Sequence, residues 1–363
     1  MGFASGVAVT GLAHPAVIPR GGLPDMDLSS SGNSRAASQS EPVGSAPTAQ
    51  IASLFFNWRV SASRGAEASG GFMTPTGVAV DGRGVTLVTL TDDNRVWVIR
   101  NDGSPPSPWD LSVAGVGFQR PGNVSSTPAG TILIVDTGNH RVVHLSSVDA
   151  PRVITVIGGS KAGTDVGKFL RPRGAIASDD GGITVADTGN HRIQSFDREG
   201  RSLSVWGLST RGVPKSGSAA GQFASPGGVC VGRDGRMLVA DSGNNRVQSH
   251  AMGVPAQGMS AGWEIWPSPE LDDPMRIGNY RMPSGIAVDQ RGRTLIADSG
   301  NHRIVVRDER VGTWEAWGGR AGTAPGQFVM PMAISIGPGG QLVVADTGND
   351  RLQVATLRPS TSA

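Results

Sequence analysis

One seven-residue segment recurs along the chain and limits what it can fold into. Asp136-Thr137-Gly138-Asn139-His140-Arg141-Val142 returns as Asp187-Thr188-Gly189-Asn190-His191-Arg192-Ile193 and as Asp241-Ser242-Gly243-Asn244-Asn245-Arg246-Val247. Two further copies are Asp298-Ser299-Gly300-Asn301-His302-Arg303-Ile304 and Asp346-Thr347-Gly348-Asn349-Asp350-Arg351-Leu352. A degenerate first copy reads Thr91-Asp92-Asp93-Asn94-Arg95-Val96. The arginines stand at 95, 141, 192, 246, 303 and 351, in steps of 46, 51, 54, 57 and 48 residues. A unit of that size cannot bury its own faces and must stack on neighbours. The spacing suits a four-stranded blade with loops of variable length.

A second landmark precedes each copy. It reads Phe72…Pro75-Thr76-Gly77, Phe118…Pro121-Gly122-Asn123, Phe169…Pro172-Arg173-Gly174, Phe223…Pro226-Gly227-Gly228, Met282-Pro283-Ser284-Gly285 and Phe328…Pro331-Met332-Ala333. Proline cannot sit inside a ladder, so it marks the start of a strand. The glycine lets strands approach closely near an axis. Each blade then reads as four strands: an apolar run after the proline, a turn such as Asp81-Gly82 or Asp234-Gly235, a second strand ending at the motif aspartate, and a third starting at the arginine. A fourth carries Trp or Val beside glycine, as in Ser204-Val205-Trp206-Gly207 and Glu315-Ala316-Trp317-Gly318. After the last motif no room remains for a fourth strand. Leu54-Phe55-Phe56-Asn57-Trp58-Arg59-Val60 resembles the missing one. The fold expected is an all-β, six-bladed β-propeller closed by an N-terminal strand, which removes an exposed sheet edge.

Residues 1–50 are rich in Ser, Ala, Gly and Pro and cannot build a core. They read as a low-complexity extension, either a targeting segment or a docking arm, before a propeller at 51–363. Without a basic start and a long apolar stretch there is no secretory signal, which favours the intracellular or organellar soluble side. No apolar run is long enough for a transmembrane helix. The 53 glycines lack a Gly-X-Y period, which excludes collagen and leaves repeated tight turns. The formal charge is only +2 and no basic run occurs, so nucleic-acid binding has no strong signature. Cys230 is the only cysteine, which rules out an internal disulfide and a cysteine zinc site.

These motifs resemble the NHL-repeat family, named for its Asn-His-Leu signature, over about residues 55–358. The resemblance implies a propeller, commonly six-bladed, in a family that spans enzymes, RNA-binding modules, sensor ectodomains and interaction platforms. Fold therefore does not settle function.

A residue present in every blade serves a need present in every blade. Asp136, Asp187, Asp241, Asp298 and Asp346 are expected to cap backbone N–H groups in the turn. Arg141, Arg192, Arg246, Arg303 and Arg351 are expected to donate to nearby carbonyls or carboxylates. On that reading Arg192→Ala costs about 1–3 kcal/mol. His140, His191 and His302 are the candidate zinc ligands, since three imidazoles with an open position are a common catalytic set. The resemblance ties them to peptidyl-hydroxyglycine amidating lyases, which hold zinc with histidines from different blades and use a tyrosine; Tyr280 is the only tyrosine. Blades two, three and five are unevenly placed around a six-fold ring, and packing is the expected role of Tyr280. Met252, Met259, Trp263 and Trp266, in the long connection after the fourth motif, are candidates for partner binding, with packing on the blade as the competing role.

The preferred function is a non-enzymatic protein–protein interaction scaffold, an accessory or structural subunit of a larger assembly, with no cofactor and no catalytic residue. An RNA-binding propeller and a zinc-dependent amidating-lyase-like enzyme are the alternatives.

Overall fold

The second strand of a blade is apolar at nearly every position, and the structure gives the reason. In Ile132–Asp136, Ile183–Asp187 and Thr294–Asp298 all five residues are buried, so both faces of the strand are covered. Alternate side chains serve opposite neighbours, as the period of two requires. Ile132 and Ile134 pack toward blade 1, against Leu87, Val96 and Val98. Leu133 and Val135 pack toward blade 3, against Ile183, Val185 and Phe196. Each fully buried aliphatic side chain contributes about 1.5–3 kcal/mol, and none does so without the adjacent blade.

The computed structural model describes residues 59–63, 74–127, 129–178, 180–251, 261–266, 279–308, 310 and 312–357. Six four-stranded sheets are present among them, all antiparallel, and five of them run inner to outer along the chain. The inner strands are Pro75–Val80, Asn123–Ser126, Gly174–Ala177, Val229–Val231, Pro283–Val288 and Pro331–Ile336. Each touches the next, and the last touches the first, so the ring is closed. Six buried clusters fill the six spaces between adjacent blades.

The closing blade combines the two ends of the ring. Arg59–Ser63 pairs antiparallel with Arg351–Thr356, Val60 opposite Gln353 and Ser63 opposite Arg351. The closing strand lies a few residues later than the Leu54–Val60 segment suggested. Residues 54–58 and the boundary at residue 50 fall outside the described residues.

In blades 1, 3, 4 and 5 glycine two residues after the landmark proline is a steric requirement. A Cβ on Gly174 would lie 2.4 Å from the Gly227 carbonyl oxygen, and one on Gly228 would lie 2.4 Å from that of Ser284. Adjacent inner strands converge there, and the Gly228 N–H donates to the Ser284 carbonyl at 2.7 Å. One feature lacked a sequence signal. Leu208–Thr210 and Val213–Lys215 form a small hairpin between blades 3 and 4. Its Arg211-Gly212 turn has φ of 52° and 79°, a conformation that usually advertises itself as Asn-Gly.

Candidate functional site

The recurring turns gather on one face of the ring, together with the loops that lead into the inner strands. We call it the clasp face. The other face carries the turns between first and second strands.

Each motif aspartate is fully buried and reaches away from its own turn. Asp187 Oδ1 accepts the Leu170 N–H at 2.8 Å, seventeen residues upstream. Asp136, Asp241, Asp298 and Asp346 accept the N–H of Gln119, Ala224, Arg281 and Val329 at the same separation, at 2.7–2.8 Å. This corrects the expected cap within the turn. The aspartate instead pins the lead-in loop of its blade and makes no cap bond to the 3-10 turn that follows it. Its second oxygen accepts from the asparagine three residues on and from the arginine Nε. The arginine then donates to carbonyls of the same loop: Arg192 reaches Thr164, Asp165 and Lys168 at 2.7–2.9 Å. Burial pushes the carboxyls of Asp187, Asp241 and Asp298 up, against the pull of that N–H, the asparagine and the arginine.

The remaining motif positions join neighbouring blades. The Thr or Ser hydroxyl donates to the carbonyl of the next blade's first proline: Thr91 to Pro121, Thr137 to Pro172, Thr188 to Pro226, Ser242 to Pro283, Ser299 to Pro331 and Thr347 to Pro75, at 2.5–2.8 Å. The residue before the arginine takes a left-handed backbone in all six blades, with φ of 50–54°. Its side chain accepts the N–H of the lead-in residue of the next blade, itself left-handed with φ of 47–49°. Asn94 accepts from Arg120, His140 from Arg171, His191 from Ser225, Asn245 from Met282, His302 from Met330 and Asp350 from Thr74, at 2.7–3.1 Å. Asn, Asp and His each present an acceptor at the δ position, so they exchange freely here.

That clasp decides what the three candidate zinc ligands do. His140, His191 and His302 each use Nδ1 as an acceptor, which places the ring proton on Nε2 and leaves no lone pair for a metal. They sit in three separate junctions. Among the described residues no group of three or more His, Cys, Asp or Glu side chains could hold a metal ion.

Tyr280 occupies the slot of the landmark phenylalanine. It precedes Pro283 by three residues, as Phe118, Phe169, Phe223 and Phe328 precede their prolines. It packs with Trp266, Ile286 and Val305, and its buried hydroxyl has no hydrogen-bond partner among the described residues. Burial pushes that hydroxyl far above the ordinary phenol range. Trp263 and Trp266 form Trp263–Trp266, the outer strand of blade 4, and are 7% and 5% exposed. Trp263 meets Phe223 edge to face at 5.1 Å, and Trp266 lies under the Arg307 guanidinium at 3.6 Å. Both rings are covered by their own chain, which corrects their place among the surface candidates. Met252 and Met259 fall outside the described residues.

The axis encloses a cavity of about 420 Å³ lined by the inner strands of all six blades. Its lining is mainly Val, Ile and Ala. Its hydroxyls serve cross-blade bonds: Ser125 donates to Ala175 O, Ser126 donates to Val80 O, and Ser335 accepts the Val80 N–H. Cys230 lines it too, and burial pushes its thiol up, away from thiolate chemistry.

Six four-stranded blades closed around an axis, joined by the same hydrogen bonds at every junction, define a β-propeller. The NHL repeat model matches residues 169–196, 223–248 and 280–306. NHL repeat-containing protein 2 of Gallus gallus is 32% identical over 151 residues, 39% of this chain and 19% of that protein. Protein brain tumor of Drosophila melanogaster is 27% identical over 144 residues, 39% of this chain and 12% of that protein. The chain therefore spans less than a fifth of these relatives' length. Among solved structures, a protein of unknown function from Bacteroides thetaiotaomicron superimposes with a TM-score of 0.62 at 16% identity, covering 84% of this chain and 76% of that one. Streptogramin B lyase does so with a TM-score of 0.54 at 13% identity, covering 84% and 98%. Those likenesses carry the fold alone. The chain is a six-bladed β-propeller that carries NHL repeats at those three matched stretches.

Proposed function

We propose that this propeller is a non-enzymatic scaffold for protein–protein interaction, working as a subunit of a larger assembly. The outer strands of blades 2 and 3 carry the reading. Val153, Ile154 and Val156 of Val153–Gly158 are 41–48% exposed, and Leu203 and Val205 of Ser202–Trp206 are 64% and 43% exposed. Neither strand carries a charge. The outer strands of blades 4 and 5 carry Glu264 and Glu315, and that of blade 1 is only two residues long. Uncharged apolar edges invite pairing, and soluble proteins guard them unless a partner covers them.

The test is native purification with sizing. The protein is expected in a complex well above its own 37.4 kDa, and Ile154→Lys with Val205→Lys should release it. Migration of the unaltered protein alone, at its own mass, overturns the scaffold reading. RNA binding is the second reading, favoured by arginines on the clasp face; it requires salt-dependent affinity for single-stranded RNA.

A further inference from the structure

The clasp face has an axial mouth ringed by two residues from each blade. The lead-in residues are Thr74, Arg120, Arg171, Ser225, Met282 and Met330. Two positions further on, directly after the landmark prolines, stand Thr76, Gly122, Arg173, Gly227, Ser284 and Met332. Repetition makes the ring regular; its chemistry is not. The arginines belong to blades 2 and 3. The methionines belong to blades 5 and 6, directly across the axis.

The three guanidiniums are poorly compensated. Arg120 reaches Asp92 only at 3.5 Å, and that carboxylate also accepts from the Thr74 hydroxyl. No described carboxylate pairs with Arg171 or Arg173, both exposed. Loss of water around it, then the charges of Arg171 and Arg120, push the Arg173 guanidinium down. On the other face six arginines, Arg83, Arg100, Arg201, Arg236, Arg293 and Arg310, each meet a carboxylate, while Arg152 and Arg233 do not. The backbones of Arg120 and Arg171 are held by the clasps to Asn94 and His140, so their positions are fixed before any ligand arrives. The matching positions of the neighbouring blades, Gly122 and Gly227, carry no side chain of their own. Opposite, Met282 is 45% exposed, with Met330 and Met332 half-buried beside it. Methionine adapts to varied apolar side chains.

We propose that the clasp-face mouth binds an extended acidic peptide segment of another protein, with carboxylates on Arg120, Arg171 and Arg173 and an apolar side chain on Met282, Met330 and Met332. This rests on the scaffold reading and names the chemistry of one partner segment. A nucleic-acid strand fits less well. It needs cations along a track and aromatic platforms for bases, and the mouth has cations on one side and no aromatic residue.

A phage-displayed library of random twelve-residue peptides, selected on the full chain, tests this. Selected sequences should be enriched in Asp and Glu together with a large apolar residue. Selection on Arg171→Ser/Arg173→Ser should lose the acidic enrichment. A selected peptide should weaken about tenfold for each guanidinium removed. Both arginines are exposed, so a melting curve matching the unaltered protein checks the variant's fold. Selection on Met282→Ser/Met332→Ser should keep the acidic enrichment and lose the apolar one. Absence of acidic enrichment, or its persistence in the double arginine variant, overturns the proposal. If the complex seen on native purification survives that failure, the scaffold reading stands without it. If a ten-nucleotide uridine oligomer binds while no peptide is enriched, and both arginines are needed for it, this proposal falls and the mouth is a nucleic-acid site; the scaffold reading falls with it only where the unaltered protein also migrates alone.

Discussion

Blade 1 and blade 3 are built on the same plan but differ in the buried residue that faces the motif arginine. Blade 3 has Asp187, which holds Arg192 at 2.7 Å with the arginine side chain only 6% exposed. Blade 1 has Leu90 at that register position, opposite Arg95, and Leu90 packs in the interface with blade 6. Without the carboxylate Arg95 turns outward, 59% exposed, with Asp93 at 3.9 Å. The cross-blade bonds survive: Thr91 still reaches Pro121, and Asn94 still accepts from Arg120. Two jobs in one motif thus come apart. The Asp–Arg pair organises the loop of its own blade and can be replaced by a leucine. The hydroxyl and the δ acceptor close the ring and are kept in all six.

The largest effect expected is from breaking the pair on one side. Arg192→Ala leaves Asp187 buried and uncompensated, which raises the earlier figure to about 3–5 kcal/mol. Arg95→Ala should stay within about 0.5 kcal/mol. Urea unfolding of both variants reads the difference, and equal losses would mean that enclosure of the pair is immaterial. Removing both charges from blade 3, as Asp187→Leu/Arg192→Ala, should recover at least half of the Arg192→Ala loss, because no buried charge remains. The clasp comes next. His191→Leu should cost about 1 kcal/mol and His191→Asn almost nothing, since asparagine keeps the acceptor. A zinc ligand would fail in both, so a loss common to both variants would return the histidine to the metal reading.

Two smaller effects test the packing. Tyr280→Phe restores the residue used in the other landmarks and removes an unpartnered hydroxyl; melting should be unchanged or higher, by up to about 1 kcal/mol. His144 and His250 are buried in the third strands of blades 2 and 4, and burial pushes both imidazoles below their ordinary value. The unfolded chain therefore binds protons that the folded chain refuses. Stability is full above about pH 6.5 and falls as pH drops below it. His144→Gln/His250→Phe should flatten that slope between about pH 7.5 and 5.5 in thermal melts.

Much of this was legible in residue order. The repeat interval gave the blade count, the prolines gave the strand starts, and the lone segment before the first blade gave the closure. The clasp was hidden in plain text. Every residue before the motif arginine is Asn, His or Asp, and every such residue has a partner in the following blade. Reading the histidines as candidate metal ligands obscured what they share with Asn94, Asn245 and Asp350. Tyr280 was masked by its chemistry, although its distance from Pro283 marked it as a phenylalanine substitute. The tryptophans of blade 4 look alike whether buried or exposed, because an indole suits either place.

What the order of residues determined by itself is the plan of one blade and the number of its copies, since period-two burial and turn chemistry are local. Which blades meet, and therefore which arginines share a mouth and which methionines face them, depends on closing the ring. Residues about fifty apart become neighbours there, and residues at opposite ends of the chain share a sheet. Only the closed structure brings their charges and apolar surfaces close enough to act together.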